Sequence, residues 1–201
     1  MMIYGAKTNN QKFDDENYLI VRNLWDPAEL QCYPPDETGV KIKYDHEGNV
    51  IEKKKEPQVI GSTSRSSYPA YRHIHIGIRR KIEKVIGKKL YDTYYYDRFY
   101  YNGHELTKHI DRDACEISVT LHIGTSLPKP AADWPICIET PHKKDVCVTL
   151  NPGDGMLYKG CHAPHWRDSM PEISGDHYYH QVFFHYVLQD GYRAHYAWDR
   201  G

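Results

Sequence analysis

The sequence predicts a mainly β fold with buttressing helices. Six short segments rich in β-branched and aromatic residues follow one another after about residue 90, and glycine, proline, asparagine or aspartate separates them. No apolar run after His109 is long enough for a long helix. Such a series of short strands is typical of an antiparallel sandwich or barrel. The segments are YDTYYYDRFYY, CEISVTLHIG, WPICIET, DVCVTLN, GMLYKG and YHQVFFHYVLQ.

The first 90 residues carry a mixed pattern that predicts smaller elements laid against this sheet. The apolar run Tyr18–Val21 predicts a short strand, and Asp26 followed by Pro27 predicts the start of a helix. The segment VKIKYDHEGNVIEKKKEPQVI alternates on either side of a turn at Gly48 and Asn49. This pattern predicts a hairpin whose basic second arm is a solvated face.

Residues 61–71 form the polar stretch GSTSRSSYPAY, which predicts a flexible loop, either a lid over a site or a plain linker. After it, isoleucine and valine recur at helical spacing in AYRHIHIGIRRKIEKVIGKKL, and Gly87 stands where a helix ends. We expect one long helix here. The pattern as a whole favours a single domain over residues 1–201, with a support region of about residues 1–90 and a core of about residues 91–201.

The composition argues against several classes of protein. Lysine plus arginine number 26 and aspartate plus glutamate 27, a near balance that argues against a surface for nucleic acid or anionic membrane. The first residues lack the apolar core of a signal peptide, and no segment approaches the roughly 20 apolar residues that span a bilayer. We therefore expect a soluble, cytoplasmic protein. An odd number of cysteines without a CxxC spacing favours reduced thiols over a disulfide framework or a thiolate zinc site; they are Cys32, Cys115, Cys137, Cys147 and Cys161.

The stretch TKHIDRDACEISVTLHIG places His109 and Asp111 two positions apart at the head of a strand-like run. Side chains i and i+2 of a strand project to the same face, so an imidazole and a carboxylate would stand side by side. An edge strand with a polar face has the same pattern, and the pair alone is therefore weak evidence for a metal site.

A second histidine-bearing segment, LNPGDGMLYKGCHAPHWRD, follows about fifty residues later. In a two-sheet sandwich, strands that are distant in sequence can bring such a histidine beside the first pair. Two histidines and one carboxylate leave several metal positions open, as in non-haem Fe(II) oxygenases. Closed structural zinc sites use a fourth protein ligand instead.

These residues resemble the 2-oxoglutarate- and Fe(II)-dependent oxygenase superfamily, near its prolyl-hydroxylase-like group. The segment YYNGHELTKHID contains the pattern Y-x-x-G-x-x-L-x-x-H-x-D, which is similar to the first metal motif of that superfamily. The similarity continues in order through DRDACEISVTLHIG, WPICIE, PGDGMLYKGCHAPHWRD and QVFFHYV. It covers the chain from about Gly87 onwards.

The resemblance implies a double-stranded β-helix (jelly-roll) core with a metal near one mouth of the barrel. His109 and Asp111 would be two of the ligands. The sequence offers His162 and His165 for the third position, and the resemblance favours His165 because His162 stands at a turn position where relatives need no ligand.

The resemblance also implies that 2-oxoglutarate chelates the iron and that its far carboxylate needs a positive or hydrogen-bonding group in a desolvated pocket. Superfamily members often place an arginine or lysine on the strand after the last histidine ligand, but here that strand reads YYHQVFFHYV and has neither. Arg98 and Arg167 are the candidates for the charge. Tyr100 matches a tyrosine that contacts 2-oxoglutarate in some branches, and Gln181 and His185 are predicted to line the pocket. A surface salt bridge for Arg98 and a packed aromatic for Tyr100 fit the sequence equally well.

Two strands carry patterns with more than one interpretation. CEISVTLHIG has one polar and one apolar face, and either face can look into the barrel. The tyrosine-rich run YDTYYYDRFYY is predicted as a sheet-packing surface in preference to a platform for stacking substrate.

The function that the resemblance implies is that of a dioxygenase dependent on Fe(II) and 2-oxoglutarate. Such an enzyme consumes O2, releases succinate and CO2, and hydroxylates its substrate, with ascorbate as a reductant. The presence of Asp111 favours hydroxylation over halogenation, which needs that carboxylate absent. The expected substrate is a peptidyl proline or another amino-acid side chain, with a free amino acid or small metabolite as the alternative; the near-neutral charge argues against a nucleobase. Competing hypotheses are a cupin-like metal hydrolase or isomerase and a binding module without catalysis.

Overall fold

Twelve strands and two α-helices are found in the part of the chain that the computed structural model describes, residues 7–30, 33–199 and 201. The helices are α1 (Asn9–Glu16) and α2 (Arg72–Ile86). The strands are β1 (Tyr18–Val21), β2 (Val40–Tyr44), β3 (Val50–Lys55), β4 (Thr63–Ser66), β5 (Leu90–Tyr101), β6 (Leu106–His109), β7 (Ile117–Thr125), β8 (Ile136–Glu139), β9 (Asp145–Val148), β10 (Gly155–Tyr158), β11 (His165–Arg167) and β12 (Tyr178–Leu188).

The strands form two sheets. The major sheet has eight strands in the order β1-β10-β7-β12-β5-β4-β2-β3, and the minor sheet has four in the order β6-β11-β8-β9. From β5 onwards the chain passes back and forth between the two sheets, and within each sheet these strands pair antiparallel. This is a double-stranded β-helix, so the predicted jelly-roll core is confirmed.

Strand β7 shows which face of the major sheet points outward. Its apolar residues join the main hydrophobic core together with the buried isoleucines of α2. Its polar residues Ser118, Thr120 and His122 are also buried, and they point to the opposite side, into the barrel. The face that the sequence left undecided is therefore polar inside and apolar outside. The outward residues are Ile117, Val119, Leu121 and Ile123.

The helices agree only in part with the sequence pattern. Helix α2 ends as expected at Gly87, which adopts a left-handed φ of 66° that glycine favours. The helix predicted from Asp26 is only a single 3₁₀ turn, Pro27–Glu29, which Asp26 caps by accepting a hydrogen bond from the Ala28 N–H. Helix α1 was not predicted, since Phe13 is its one buried residue. No helix in the described ranges is long and apolar enough to cross a membrane.

The stretch 61–71 differs from its prediction as a flexible loop. Residues 63–66 form β4, which is buried and pairs with both β2 and β5. Its polar side chains are held inside the protein, because Arg65 pairs with Asp97 and the Ser64 hydroxyl donates to Glu56. The polar composition therefore reflects a buried network and not a lid.

The cysteines also differ from expectation. Cys137 on β8 lies directly opposite Cys147 on β9, and the two form a disulfide. The prediction of reduced thiols is therefore wrong for this pair, because the hairpin register places them face to face. Cys115 and Cys161 are free, and Cys32 lies outside the described residues.

A buried ionic cluster joins the support region to the core sheet. Asp97 on β5 is fully buried and accepts hydrogen bonds of 3.1 Å from Arg65 Nε and of 2.8 Å from His180 Nε2. Burial alone would raise the pKa of Asp97, but the neighbouring Arg65 charge and the His180 hydrogen bond outweigh it and lower the pKa. The cluster therefore holds β4, β5 and β12 in register through charge.

We expect Asp97→Asn to destabilise the protein by about 3–5 kcal/mol, because it leaves the Arg65 guanidinium buried without its counter-charge. The free energy of unfolding in urea measures this. Asp15→Asn, which removes an exposed ion pair with Lys7, serves as the control and should change that energy by less than about 1 kcal/mol. Equal losses in the two variants would contradict the assignment.

The buried histidine His75 should make the free energy of unfolding decrease as the pH is lowered. Burial between α2 and the sheet lowers the pKa of His75 to about 3, whereas an unfolded histidine titrates near about 6.5. Between these two values only the unfolded chain binds the proton, so this contribution to stability is present above pH 6.5 and is lost as the pH falls. We expect His75→Gln to make the unfolding free energy less dependent on pH, by up to about 1.4 kcal/mol per pH unit between pH 6 and 5. The exposed His142→Gln variant should keep the wild-type slope.

Candidate metal centre

The three side chains predicted as metal ligands lie together at one mouth of the barrel. His109 ends β6, His165 begins β11 and is its direct cross-strand partner, and Asp111 follows β6. The Nε2 atoms of His109 and His165 each lie 3.6 Å from Asp111 Oδ1. Atoms bound at about 2.1 Å to one ion lie at most about 4.2 Å apart, so both distances are compatible with one shared cation. All three donor atoms lie within 4.8 Å of one another.

Backbone carbonyls orient both imidazoles. The Nδ1–H of His109 donates to the Thr107 carbonyl at 2.8 Å, and that of His165 donates to the Ala163 carbonyl at 2.9 Å. In each histidine the Nε2 atom is therefore the ring nitrogen that faces Asp111. Hydrogen bonds of this kind are the usual means by which a protein fixes the tautomer of a metal-binding histidine.

Asp111 is held by groups that the sequence did not single out. Its N–H donates to the Gly160 carbonyl at 2.9 Å, and its Oδ2 accepts from the Ser118 hydroxyl at 3.2 Å. A Cβ at Gly160 would lie 2.5 Å from Asp111 Oδ2 and 2.4 Å from the Cys115 carbonyl oxygen. Only glycine at position 160 therefore leaves room for this carboxylate.

The local backbone corrects the expectation that one strand aims both ligands. Strand β6 ends at His109, the 3₁₀ turn Asp113–Cys115 intervenes, and β7 begins at Ile117 in the other sheet. Asp111 thus lies in the irregular stretch between β6 and this turn, and the Gly160 and Ser118 contacts orient it. The prediction that His109 and Asp111 lie close together is correct, but the prediction that both lie on one strand is wrong.

The protonation states suit a cation. Burial alone would raise the pKa of Asp111, yet the hydrogen bond with His109 and the nearby His165 lower it to about 2. Burial lowers the pKa of His165. For His109, burial alone would lower the pKa, but the interactions with Asp111 and the Thr107 carbonyl outweigh it and raise the pKa. A carboxylate with at least one neutral imidazole needs little proton release to bind a metal.

A second group of possible ligands shares Asp111. Cys115 and His185 also place a donor atom within 4.8 Å of it and of each other. Burial raises the pKa of the Cys115 thiol, however, and the thiol lies 3.1 Å from the Tyr94 hydroxyl. Metals bind the thiolate, so the site with His109 and His165 is the better one. His162, the alternative to His165, is exposed.

Arg167, two residues beyond His165, points into the barrel and is 1% exposed. Its guanidinium carbon lies 4.7 Å from the centre of the Trp134 ring and 5.0 Å from that of Tyr179. Nη1 donates to the Trp134 carbonyl at 2.9 Å, whereas Nε and Nη2 make no hydrogen bond of ordinary geometry. A buried cation with unused donors is suited to an anion.

The other predicted pocket residues lie on the same inner face. Gln181 accepts from the Thr120 hydroxyl at 2.9 Å, which leaves its amide nitrogen without a partner. His185 Nδ1 lies 2.9 Å from the Ser118 hydroxyl, and its Nε2 is unpaired. The Tyr100 hydroxyl is buried and unpaired as well. Several donors therefore converge on the interior without a partner.

Arg98 lies on the wall of an open cavity of about 270 Å³ beside the metal ligands, which Arg167 does not border, and its guanidinium carbon lies 5.7 Å from the centre of the Tyr100 ring. It is 3% exposed and pairs with Glu56, so the alternative of a surface salt bridge is wrong. Tyr94 and Tyr96 line the same cavity, so the tyrosine-rich run does more than pack the sheet.

The support region adds cavity residues that the sequence analysis missed. Glu56 and Gln58 follow the edge strand β3 and belong to the cavity wall, as does Lys41 on β2. The Gln58 amide lies 3.4 Å from His109 Nε2 and 2.8 Å from Arg98 Nη2. The segment KKKEPQVI carried no signal for this role, since its charges resemble a solvated arm.

Comparison with known proteins gives a fold but no sequence match. No protein-family model and no curated protein matches the sequence. A prolyl-4-hydroxylase structure from Pseudomonas putida is 11% identical, with a TM-score of 0.57 over 87% of this chain and 95% of that one. A prolyl hydroxylase crystallised with a hypoxia inducible factor peptide fragment, from Trichoplax adhaerens, is 10% identical, with a TM-score of 0.60 over 87% and 86%.

A third similar structure, HygX from Streptomyces hygroscopicus, was crystallised with nickel and 2-oxoglutarate. It is 10% identical, with a TM-score of 0.58 over 86% of this chain and 84% of that one. HygX was also crystallised with hygromycin B bound. At these identities the similarity establishes the fold: the chain has the double-stranded β-helix found in prolyl hydroxylases and 2-oxoglutarate-dependent oxygenases.

We expect His165→Ala to weaken the binding of Fe(II) or Mn(II) by at least about 100-fold, because it removes a ligand and not only a supporting contact. Isothermal titration of metal-free protein measures the affinity. His162→Ala, three residues away and exposed, should bind the metal like the wild type. Equal affinities in the two variants would remove His165 from the site.

Proposed function

We propose that the protein is an Fe(II)- and 2-oxoglutarate-dependent oxygenase that hydroxylates an amino-acid side chain, peptidyl or free. One observation carries the proposal. The His109, Asp111 and His165 site stands in the double-stranded β-helix of such oxygenases, directly beside an interior in which buried cationic and amide donors have no partner. A plain metal-binding scaffold has no need of these donors.

The donor set fits Fe(II). His109, Asp111 and His165 would hold it through two imidazole nitrogens and one carboxylate, which leaves positions open for exogenous ligands. Fe(II) with 2-oxoglutarate and O2 supplies the oxidising chemistry and releases succinate and CO2. The chain's own residues bind, orient and shield the reactants.

For the far carboxylate of 2-oxoglutarate, the proposed anchor is Arg167. Its guanidinium has two unused nitrogen donors, is almost completely buried, and stands on the same strand and the same face as His165. The strand that often carries the anchor, β12, has Tyr179 against this guanidinium. Arg167 would thus supply from β11 the charge that β12 lacks.

Polar groups around Arg167 would complete the cosubstrate pocket. Tyr100 and Tyr179 have buried hydroxyls, and both rings pack against Trp134, at 5.2 and 5.1 Å. Burial raises the pKa of Tyr179, so its hydroxyl remains a neutral donor. The Gln181 amide offers another N–H group. The aromatic wall excludes water and so strengthens each of these hydrogen bonds.

Anaerobic addition of 2-oxoglutarate to the Fe(II)-loaded protein tests the proposal. We expect a visible charge-transfer band that saturates with 2-oxoglutarate, followed by succinate formation when O2 is admitted. A metal-loaded protein that shows neither would rule out a 2-oxoglutarate oxygenase.

Arg167→Gln should lower the affinity for 2-oxoglutarate in the same titration by about 10- to 100-fold, because a hydrogen bond to a charged group contributes about 1.5–3 kcal/mol. Metal affinity should stay unchanged. Arg80→Gln, at an exposed position on α2, is the matched control. If Arg167→Gln bound 2-oxoglutarate like this control, the anchor would have to be another residue.

A further inference from the structure

A row of side chains crosses three neighbouring strands of the major sheet beside the metal centre. Lys41 on β2 is the cross-strand partner of Ser64 on β4, and Ser64 is the partner of Arg98 on β5. Directly opposed residues share a face of the sheet. All three border the cavity that contains His109 and Asp111.

Arg98 is the centre of this row, and its hydrogen bonds leave part of it unused. Nη2 donates to Glu56 Oε1 at 3.0 Å and to Gln58 Oε1 at 2.8 Å. Nε and Nη1 are buried and make no hydrogen bond of ordinary geometry. The guanidinium carbon lies 5.5 Å from the Tyr96 ring centre and 5.7 Å from that of Tyr100.

Glu56, the acidic partner of this row, already accepts hydrogen bonds on both carboxylate oxygens. Glu56 is 1% exposed; its Oε1 accepts from Arg98 and from the Gln58 N–H at 3.0 Å, and its Oε2 accepts from the Ser64 hydroxyl. Within the described residues the half-buried Lys41 ammonium forms no ion pair. Burial lowers the pKa of Lys41 by more than the charge of Glu56 raises it.

The charges in this row therefore do not cancel. Arg98 and Lys41 contribute two positive charges and Glu56 one negative charge, so the row itself carries one net positive charge. On the same wall, Asp111 faces the cation site and Arg112 is paired with Asp199. A single carboxylate would neutralise the net charge of the row and would accept from the free Arg98 donors. The cavity volume of about 270 Å³ lies slightly below the range of roughly 300–1,000 Å³ for pockets that hold drug-sized ligands, and so fits a compact molecule.

The position of the row separates it from the proposed cosubstrate anchor. Gln58 contacts both Arg98 and His109 Nε2, which places Arg98 one side chain away from a metal ligand. The same cavity wall includes the exposed Ile110, so it opens to solvent. Arg167 is enclosed by Trp134 and Tyr179 and does not border this cavity. The open cavity is accessible to a substrate from solvent, and the enclosed guanidinium suits the cosubstrate.

We infer that the substrate is a small molecule with a free carboxylate, such as a free amino acid, and that Arg98 and Lys41 bind this carboxylate beside the metal. The inference rests on the proposed function and chooses, within it, the free over the peptidyl substrate. It also gives Arg98 a role in substrate binding in place of the role in cosubstrate binding that the sequence suggested.

The experiment uses the wild-type protein loaded with Fe(II) and 2-oxoglutarate, and a panel of the common L-amino acids and their N-acetyl derivatives. Each compound is compared with its own carboxamide, which has the same shape without the charge and mimics a residue within a peptide. The readout is the stimulation of succinate formation over the rate without substrate. We expect at least one free acid to stimulate succinate formation. The KM of its carboxamide should be higher than that of the acid by about 10- to 100-fold.

Variants then locate the binding group. Arg98→Gln alone would leave Glu56 buried without its counter-charge, so the double variant Glu56→Gln with Arg98→Gln is tested as well. In either variant we expect KM for the acid to rise by about 10- to 100-fold while the affinity for 2-oxoglutarate, read from the charge-transfer band, stays within twofold. Lys41→Gln should give a smaller rise, and Arg80→Gln none.

Three outcomes would overturn the inference. Carboxamides that stimulate as well as the acids would favour a peptidyl substrate, and a panel without any stimulating acid would contradict the proposed class. A loss of 2-oxoglutarate affinity in the Arg98 variants would return Arg98 to the cosubstrate. All three require that the wild type binds 2-oxoglutarate, so they are distinct from a failure of the proposed function, in which the charge-transfer band would be missing from the start.

Discussion

The inverted polarity of the central strands is the constraint on which the rest of the structure depends. Strand β7 alternates with a period of two, and it turns polar side chains to the barrel interior while its apolar ones pack outside with α2. Its neighbours β5 and β12 also turn polar residues inward, among them Arg98, Gln181 and His185. Burying polar groups is unfavourable unless each finds a partner. Pairs such as Thr120 with Gln181 offset part of this cost, and the remaining unpaired donors are concentrated around Arg167 and Arg98. These unpaired donors are the part of the interior that a ligand would satisfy.

The support region takes part in this chamber. Its strands β2 and β4 extend the major sheet. Two buried ion pairs join the support region to the core, Arg65 on β4 with Asp97, and Glu56, which follows β3, with Arg98. The first pair lies on the outer side of β5 and the second on the inner side, because residues 97 and 98 are adjacent and point in opposite directions. One short stretch of β5 therefore couples the docking of the support region to the shape of the cavity. Substitutions in the support region can alter the site without contacting a ligand.

The sequence was most informative where a pattern is periodic and local. Helix α2, the hairpin of β2 and β3, and most strands of the barrel follow from their hydrophobic spacing, and His109, Asp111 and His165 were brought together as their motifs suggested. Other features depend on contacts between distant segments. The polar strand β4 looks like a loop until its partners are known, the inner face of β7 depends on what fills the barrel, and the role of Gly160 depends on the approach of Asp111 from another turn. The disulfide depends on the register of β8 and β9, which spacing alone does not determine.

The short strand β11 has a consequence for the choice of cosubstrate. It carries His165 and Arg167 on one face with Trp166 between them on the other, so two steps of one pleat, about 6.6 Å, separate their backbones. Where the cation stands on a neighbouring strand, its distance from the metal depends on how two strands slide past each other. Here one strand carries both His165 and Arg167, so its backbone geometry fixes the distance between the metal ligand and the anchor. If Arg167 holds the far carboxylate, this fixed distance sets the length of the oxo-diacid that the site accepts. An oxo-diacid one carbon shorter or longer will then reach either the metal or Arg167 with good geometry, but not both.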